Sequence, residues 1–333
     1  MNKVELLDCT LRDGGHLLDW KFGEKRIANI IQKLVDAKLD FVEIGFLRDV
    51  EYDCNRSLFS KVEQANSLIE HFDTKSEFTL MVRPDWINIE SLPEASGISS
   101  IRFAFYLKDF ELVKRQMDIA RRANYQVFLN PINILSYSED SLKNMLVKIN
   151  ELDPAGVAIV DTFGALLPQD LKDFIPVFDT LLNNRIKLGI HLHENLSLSF
   201  SLALLFLNEV SDDRDVVIDA SVLGIGRDPG NLPTELIAPY LNKYHSKVYG
   251  LKPILECLEQ EVQPIKQNES WGYSPEYALS GINQVHRSYP EYLRQLGCDL
   301  STINLVIQEI RKNGSHNKFD KNYANQILRD LND

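Results

Sequence analysis

The sequence predicts a TIM barrel, a closed ring of eight parallel strands with helices outside it, followed by a C-terminal helical appendage. Two observations lead to this fold class. Short runs rich in Val, Ile and Phe alternate with longer amphipathic stretches, and the alternation occurs eight times over roughly 230 residues. After about residue 239 no convincing strand follows. We therefore predict a barrel domain over residues 1–240 and an appendage over residues 241–333.

The predicted strands are short apolar runs, which is typical of parallel strands that are buried on both faces. They cover residues 4–8, 41–46, 78–83, 101–105, 127–130, 157–161, 188–193 and 216–222. Between them, residues 26–38 predict an amphipathic helix with Ile27, Ile30, Ile31, Leu34 and Val35 on one face. Residues 112–123 and 138–152 have a similar pattern, and residues 251–261 and 300–313 predict helices in the appendage.

Composition and charge exclude several classes of function. The 333 residues carry a formal net charge of −12, and an acidic surface repels nucleic acid and anionic lipid. The four cysteines form no CxxC pair, which argues against a disulfide framework or a zinc finger. No signal peptide or membrane-spanning stretch is visible. We expect a cytoplasmic protein with no nucleic-acid or membrane partner.

Polar residues collect at the ends of the predicted strands, where TIM barrels carry their chemistry. His191 and His193 are two residues apart on one strand, so both side chains point to the same face and can bind one metal ion. Taken alone, the pair could equally be ordinary polar residues. Asp13 is well placed as a third ligand, and such a set leaves coordination positions open for a substrate. Asn231 could add an oxygen ligand or cap the following helix.

Three further residues point to acid–base chemistry beside this predicted metal. Arg12 could stabilise the developing negative charge of an enolate oxygen. It could also form a structural ion pair with Glu43, and both roles are compatible if Glu43 orients Arg12 through a bidentate contact. His16 follows two glycines and could exchange protons near neutral pH, although a lone histidine is more often a surface residue. No strand end offers the lysine that a Schiff-base aldolase requires.

The motifs resemble those of the HMG-CoA-lyase-like metal-dependent TIM barrels. The resemblance is found in LDCTLRDGGH at 7–16, VEIGF at 42–46, the pair His191 and His193, and DAS at 219–221 leading to Gly230 and Asn231. The superfamily includes isopropylmalate synthase, homocitrate synthase, HMG-CoA lyase and 4-hydroxy-2-oxovalerate aldolase. Two details favour the aldolase branch: His16 stands where the synthases and lyases have Gln, and the sequence Glu194-Asn195-Leu196 follows His193.

The resemblance implies a divalent-metal-dependent class II aldolase that forms or cleaves a bond between a pyruvate enolate and an aldehyde. It implies metal ligation by Asp13, His191 and His193, enolate stabilisation by Arg12 and acid–base work by His16. Mn²⁺ is the first choice, and the ligand set also suits Mg²⁺, Co²⁺ or Zn²⁺.

Two more residues are assigned by the same resemblance. Thr162 matches a residue that helps to hold the pyruvate carboxylate. Tyr277, in the appendage, falls where the aldolases lend a tyrosine to the active site, and this is why we expect the appendage to contribute to the mouth of that site. Tyr273, Tyr289 and Tyr292 compete with it.

Departures from the aldolase pattern leave the substrate open. The aldolases have a small-residue loop where this chain has Arg227-Asp228-Pro229. The C-terminal region also lacks their Gly-Gly-Gln-Glu-Asp stretch, so a dehydrogenase partner is doubtful, while a homodimer stays open.

Two other functions are considered: a Claisen-type enzyme that condenses an acyl-CoA with a 2-oxo acid, and a scaffold without catalysis. His16 argues against the first, and retention of the whole charged constellation argues against the second.

Overall fold

Eight parallel strands form a closed barrel, which confirms the predicted fold class. The computed structural model describes residues 3–227, 229–314 and 318–331, so the outer limits of the two predicted domains, residues 1 and 333, lie outside it. Within this part the strands are β1 Val4–Asp8, β2 Phe41–Leu47, β3 Leu58–Phe59, β4 Glu77–Val82, β5 Ile98–Phe105, β6 Gln126–Pro131, β7 Gly156–Val160, β8 Lys187–His191 and β9 Val216–Ala220.

The ring is closed by the pairing of β1 with both β2 and β9. Leu7 pairs with Phe41 on one side and with Asp219 on the other. The short strand β3 pairs only with β2 and stands outside the ring, and it was not predicted. Because all strands are parallel, their carboxyl ends lie at one end of the barrel, where the loops can share a site.

Nine α-helical segments accompany the barrel strands in the described part of the chain. The first two are single turns that follow β1 directly. The segments are α1 Thr10–Asp13, α2 Gly15–Leu18, α3 Glu24–Asp36, α4 Val62–Ile69, α5 Phe110–Arg122, α6 Glu139–Leu152, α7 Pro168–Leu181, α8 Ser199–Glu209 and α9 Thr234–Tyr244. Helix α3 buries Ile27, Ile30, Ile31 and Leu34 of the predicted apolar face, whereas Val35, the fifth predicted residue, is half-buried. None of the described helices is long and apolar enough to cross a bilayer.

The C-terminal residues are helical, as predicted. They form α10 Leu251–Cys257, a π-helical turn at Leu258–Val262, α11 Gln263–Lys266, α12 Pro275–Asn283, α13 Ser288–Gln295, α14 Leu300–Lys312 and α15 Lys321–Asp330. The buried cluster of the barrel extends through Trp271, whereas a second buried cluster begins at Val285 and includes residues of α13, α14 and α15. The domain boundary at residue 240 stays a prediction, and the two cores separate between Trp271 and Val285.

Candidate metal centre

The charged residues predicted at the strand ends meet at one end of the barrel. Arg12 and Asp13 lie on α1, directly after β1, and His191 is the last residue of β8. His193 lies beyond β8, where it forms an isolated antiparallel bridge with Asn231. All five residues are buried. The bridge brings the loop after β9 against the end of β8, so the local backbone places His193 beside Asn231.

Asp13, His191 and His193 form a cluster that fits a metal ion. Their ligand atoms all lie within 4.8 Å of one another, and the two imidazole rings are 5.1 Å apart. Asn231 donates to Asp13 through its amide nitrogen at 2.8 Å, while its buried Oδ1 has no hydrogen-bond partner in the described part of the chain. A buried carbonyl oxygen usually accepts a hydrogen bond, and one without a donor beside this triad is free to bind a cation. The residues therefore fit the divalent metal that the resemblance implies.

Gly226 allows this close approach of the loop. A Cβ atom at residue 226 would lie 2.1 Å from Asn231 Nδ2 and 2.7 Å from Asp13 Oδ2, distances that no side chain could occupy. A glycine is therefore required here so that the backbone can pass against both residues.

The protonation states of the cluster suit metal binding. Asp219 Oδ2 lies 3.0 Å from His191 Nδ1, a contact that favours the tautomer with the proton on Nδ1 and the lone pair on Nε2. Burial lowers the pKa of His193 to about 3, so its imidazole is neutral. Burial raises the pKa of Asp13, but the charge of Arg12 outweighs that effect and holds the pKa well below its ordinary value. The triad thus combines the Asp13 carboxylate and the neutral His193 imidazole with a His191 ring whose Nδ1 is engaged by Asp219.

Arg12 is fixed between two carboxylates. Its Nε donates to Glu43 Oε2 at 2.7 Å, and its Nη1 donates to Asp13 Oδ1. Burial would lower the pKa of Arg12, yet Glu43 and Asp13 raise it above its ordinary value, so the guanidinium stays charged. The Arg12–Glu43 pair expected from the sequence is present, and it uses one atom of each partner because the other oxygen of Glu43 has a different donor.

That donor is Arg102, a residue that our reading of the sequence missed. Its Nη1 donates to Glu43 Oε1 at 3.1 Å and its Nη2 donates to Asp219 Oδ2 at 2.5 Å. Arg102 therefore connects the partner of Arg12 with the partner of His191. The signal was available, since a charged residue inside the apolar run at 101–105 is unusual for a buried strand.

His16 and Thr162 both line the cavity above the cluster. The His16 ring packs against Trp20 at 4.6 Å and Phe46 at 6.0 Å between centroids, and burial lowers the pKa of His16 well below its ordinary value. Its imidazole is neutral and can accept a proton. Thr162 Oγ1 accepts a hydrogen bond of 2.6 Å from the backbone N–H of Asn133, which fixes its hydroxyl at the cavity wall.

The cavity is open to solvent, and the empty space within it and at its mouth together amounts to about 790 Å³. The appendage contributes His286 and Arg287 to its lining, and His286 packs against Phe163 at 5.9 Å between ring centroids. Tyr277 is not among the described lining residues, and its hydroxyl donates to Glu291 Oε1 at 2.9 Å within the appendage. Its catalytic role stays a prediction. Arg227 lines the mouth, whereas Asp228 lies outside the described residues.

The family model described as HMGL-like matches residues 3–251. The chain belongs to the HMGL-like family. Within this family the chain is similar to proteins named 4-hydroxy-2-oxovalerate aldolase. The relative from Geobacillus genomosp. 3 is 25% identical over 269 residues, covering 79% of this chain and 77% of the relative. The relative from Chloroflexus aurantiacus is 26% identical over 278 residues, covering 80% and 77%. The family resemblance inferred from the motifs is confirmed.

Solved structures share the fold of this HMGL-like protein. The N-terminal domain of a Bacteroides vulgatus protein described as a candidate aldolase aligns with a TM-score of 0.76 at 22% identity, covering 89% of this chain and 98% of that domain. The carboxyl transferase domain of Rhizobium etli pyruvate carboxylase, solved with pyruvate and biocytin, aligns with a TM-score of 0.73 at 17% identity, covering 99% and 61%. At these identities the likeness concerns the fold alone.

Proposed function

We propose that this protein is a divalent-metal-dependent class II aldolase, a carbon–carbon lyase that joins a pyruvate enolate to an aldehyde or reverses that reaction. The observation that carries the proposal is the buried cluster of Asp13, His191 and His193 with the guanidinium of Arg12 in contact with it. The relatives named 4-hydroxy-2-oxovalerate aldolase support the same assignment. The small-molecule substrates are therefore a 2-oxo acid and an aldehyde.

Asp13, His191 and His193 would hold the metal, with the orphaned Oδ1 of Asn231 as a fourth donor. A bound divalent ion acts as a Lewis acid that stabilises negative charge on substrate oxygens. We propose Mn²⁺ as the ion, while Mg²⁺, Co²⁺ and Zn²⁺ remain compatible with one carboxylate and two imidazoles.

The remaining residues act on charge and protons. Arg12, kept protonated by Glu43 and Asp13, would stabilise the enolate oxygen as negative charge develops there. Glu43 acts through Arg12 by fixing its orientation. Neutral His16 would exchange a proton with the aldehyde-derived oxygen, and Thr162 would help to hold the substrate carboxylate. Tyr277 is proposed as a second acid–base group. The absence of nucleic-acid and membrane partners, and a location in the cytoplasm, also remain predictions.

The test is metal-dependent exchange of the pyruvate methyl protons in deuterated water, because this half-reaction requires the enolate but no aldehyde. We expect exchange with Mn²⁺ and none after chelation. Arg12→Ala should retain Mn²⁺ binding and lose about 10³-fold in exchange rate, the size typical of a lost transition-state contact. Arg115→Ala, which removes an exposed arginine on α5, should match wild type.

Two results would contradict the proposal. If the wild-type protein binds Mn²⁺ but shows no exchange of the pyruvate methyl protons, formation of the enolate is excluded. Release of free thiol from acetyl-CoA with a 2-oxo acid, in place of aldol cleavage, would favour the Claisen-type reaction on the same site. If Arg12→Ala lost metal binding as well, Arg12 would be assigned a structural role.

A further inference from the structure

We propose that Asn130 recognises the aldehyde, and that the aldehyde carries a hydroxyl group that hydrogen-bonds to the Asn130 carboxamide. This inference rests on the proposed aldolase function and adds the class of the second substrate, a hydroxyaldehyde. It follows from the position of Asn130 in the barrel, from its unpartnered amide oxygen and from the lack of a hydrogen-bond donor on pyruvate.

Asn130 lies at the floor of the cavity that contains the metal cluster. It is the next-to-last residue of β6, and only 4% of it is exposed. It lines that cavity and also a second cavity, which we call the inner cavity, whose wall has residues from all eight ring strands. Among residues 3–227, 229–314 and 318–331, Asn130 alone lines both cavities. Its side chain therefore lies between the barrel interior and the space that the reactants occupy.

The amide oxygen of Asn130 is buried without a hydrogen bond. Its Oδ1 has no partner in the described part of the chain. Its neighbours in the cavity wall are apolar: Ala104 is its register partner on β5, and Val160 ends the adjacent strand β7. Their side chains offer no donor. Because buried polar side-chain atoms nearly always have a partner, this oxygen requires one from a molecule in the cavity.

Ser100, on the adjacent strand β5, has a similar side chain in a different position. Its hydroxyl is also buried and unpartnered in the described part of the chain, but Ser100 lines the inner cavity and not the metal-site cavity. An ordered water would satisfy Ser100 without reaching the reactants. At Asn130, a reactant that displaces a water must replace its hydrogen bond, or binding is weakened.

Pyruvate does not supply the missing donor. Its carboxylate and keto oxygens accept hydrogen bonds, and they are assigned to Thr162, to Arg12 and to the metal. Its methyl carbon loses a proton and forms the new bond to the aldehyde carbon. The aldehyde oxygen, which takes up a proton from His16, is an acceptor before the reaction. The donor for Asn130 therefore comes from a further group on the aldehyde.

A hydroxyl group matches a free carboxamide. It can donate to Oδ1 and accept from Nδ2 of the same side chain. A carboxylate has no proton to donate near neutral pH, and a primary amine would condense with the aldehyde itself. The second substrate is therefore a hydroxyaldehyde, and its addition to pyruvate gives a 2-oxo acid that carries the hydroxyl of the aldehyde besides the newly formed one.

The test compares matched aldehydes in pyruvate addition catalysed by the manganese-loaded protein. 2-Hydroxypropanal and 3-hydroxypropanal are each compared with propanal, which has the same carbon chain without the hydroxyl. We expect kcat/KM to be at least about tenfold higher for one hydroxylated aldehyde, because propanal leaves Oδ1 of Asn130 unpaired. The preferred aldehyde also reports the position of the hydroxyl.

Asn130→Leu connects this preference to Asn130. The change keeps the shape and removes the polar atoms, so the ratio of kcat/KM between the hydroxylated aldehyde and propanal should fall by at least about tenfold, while kcat/KM for propanal stays within about threefold of wild type. The intrinsic reactivity of each aldehyde is the same with both proteins, so the change in ratio belongs to Asn130. Ser100→Ala, the matched control, should keep the wild-type ratio. Asn130→Ala is the second variant if Asn130→Leu does not fold.

Two results would overturn the proposal. The first is a wild-type ratio near one or below for both hydroxyaldehydes, which decides the matter even if no variant folds. The second is a preference that the Asn130 variants retain, as expected if Asn130 binds only an ordered water. Methyl-proton exchange of pyruvate requires no aldehyde, so normal exchange with either result would reject the hydroxyaldehyde and leave the aldolase function intact. Loss of exchange in the wild-type protein would reject both.

Discussion

Asp13 is held in place by the protein itself. Arg12 Nη1 donates to its Oδ1, while Asn231 Nδ2 and the backbone N–H of Arg227 donate to its Oδ2 at 2.8 and 3.3 Å. A carboxylate fixed in this way has little conformational freedom to lose when it binds a ligand. At the scale of single residues, the Asp13 carboxylate is therefore pre-organised by groups that come from α1 and from the loop after β9.

Removal of any one ligand should weaken metal binding. Two of the three proposed protein ligands remain in each of the variants Asp13→Ala, His191→Ala and His193→Ala. Loss of a residue that only hydrogen-bonds to a ligand typically lowers metal affinity roughly 10–100-fold, and we expect a larger fall in Mn²⁺ affinity here. Calorimetric titration measures this. Asp118→Ala, which removes an exposed acid on α5, is the matched control. Wild-type affinity in one of the three variants would exclude that residue from the ligand set.

Tyr277→Phe tests the acid–base role proposed for the appendage tyrosine. The change keeps the ring and removes the hydroxyl, so a catalytic Tyr277 should lose about 10²-fold in aldol cleavage with little change in stability. Such a role requires the hydroxyl to leave Glu291, its acceptor in this structure. An unchanged rate in Tyr277→Phe would restrict Tyr277 to a packing role. The variant His286→Asn, measured in parallel, tests an appendage side chain that does line the cavity.

At the scale of elements, Arg102 on β5 joins two strands from across the barrel. Its two bonds to Glu43 on β2 and Asp219 on β9 cross the interior, and Glu43 and Asp219 in turn contact Arg12 and His191. A single strand residue thus contacts the carboxylates that orient His191, a proposed metal ligand, and Arg12 beside it. Arg102 touches no reacting atom and acts as a positioning residue.

Arg102→Met should reduce both stability and metal affinity. It leaves Glu43 and Asp219 with one donor fewer each, and loss of one partner from a buried ion pair costs about 3–5 kcal/mol of folding free energy. We expect the Mn²⁺ affinity to fall about 10–100-fold because His191 loses its fixed orientation. Denaturant unfolding and calorimetry measure the two effects. Arg102→Lys should recover more stability than affinity, and unchanged affinity in Arg102→Met would limit Arg102 to a structural role.

The elements that could be predicted are those defined by long apolar patterns. The first strand was predicted with its observed limits, and β2 to within one residue, because their buried side chains form continuous runs. The two-residue strand β3 and the π-helical turn at 258–262 have no such pattern, since tertiary pairing and a local change of helix geometry produce them.

The same limit applies to the site. The proximity of Asp13, His191 and His193 could be predicted because these residues share a strand or follow one directly. The roles of Arg102 and His286 depend on which strands and loops face each other across the barrel, and a local pattern cannot show that. Asp219 was noted in the sequence as part of a motif, and its contact with His191 became visible in the fold.

At the scale of the whole molecule, one buried acid should make stability depend on pH. Burial raises the pKa of Asp161 from its ordinary 3.8 to about 7, against the hydrogen bonds that its Oδ1 accepts from Ala165 and Leu166. The folded state therefore binds this proton more tightly than the unfolded chain. The resulting contribution to stability is complete below pH 3.8 and is lost as the pH rises through about 7.

Asp161→Asn should remove this dependence. The amide oxygen can accept the same two hydrogen bonds without carrying charge, so the variant should gain stability over wild type between pH 4 and pH 8, by up to about 4 kcal/mol. Denaturant unfolding across that range measures the difference, with the exposed Asp118→Asn as control. A difference that stays constant with pH would show that Asp161 does not titrate in this range.

The ion network inside the barrel also sets an order of binding. Two guanidinium groups, Arg12 and Arg102, face three carboxylates, Asp13, Glu43 and Asp219, so these buried side chains have a net charge of −1. A low-dielectric interior with a net negative charge repels a 2-oxo acid, which is itself an anion. A bound divalent cation changes the net charge of this group from −1 to +1, so that it attracts the anion. We therefore expect the cation to bind before the 2-oxo acid. Calorimetry of pyruvate should show no binding in the presence of a chelator, and measurable binding there would contradict this order.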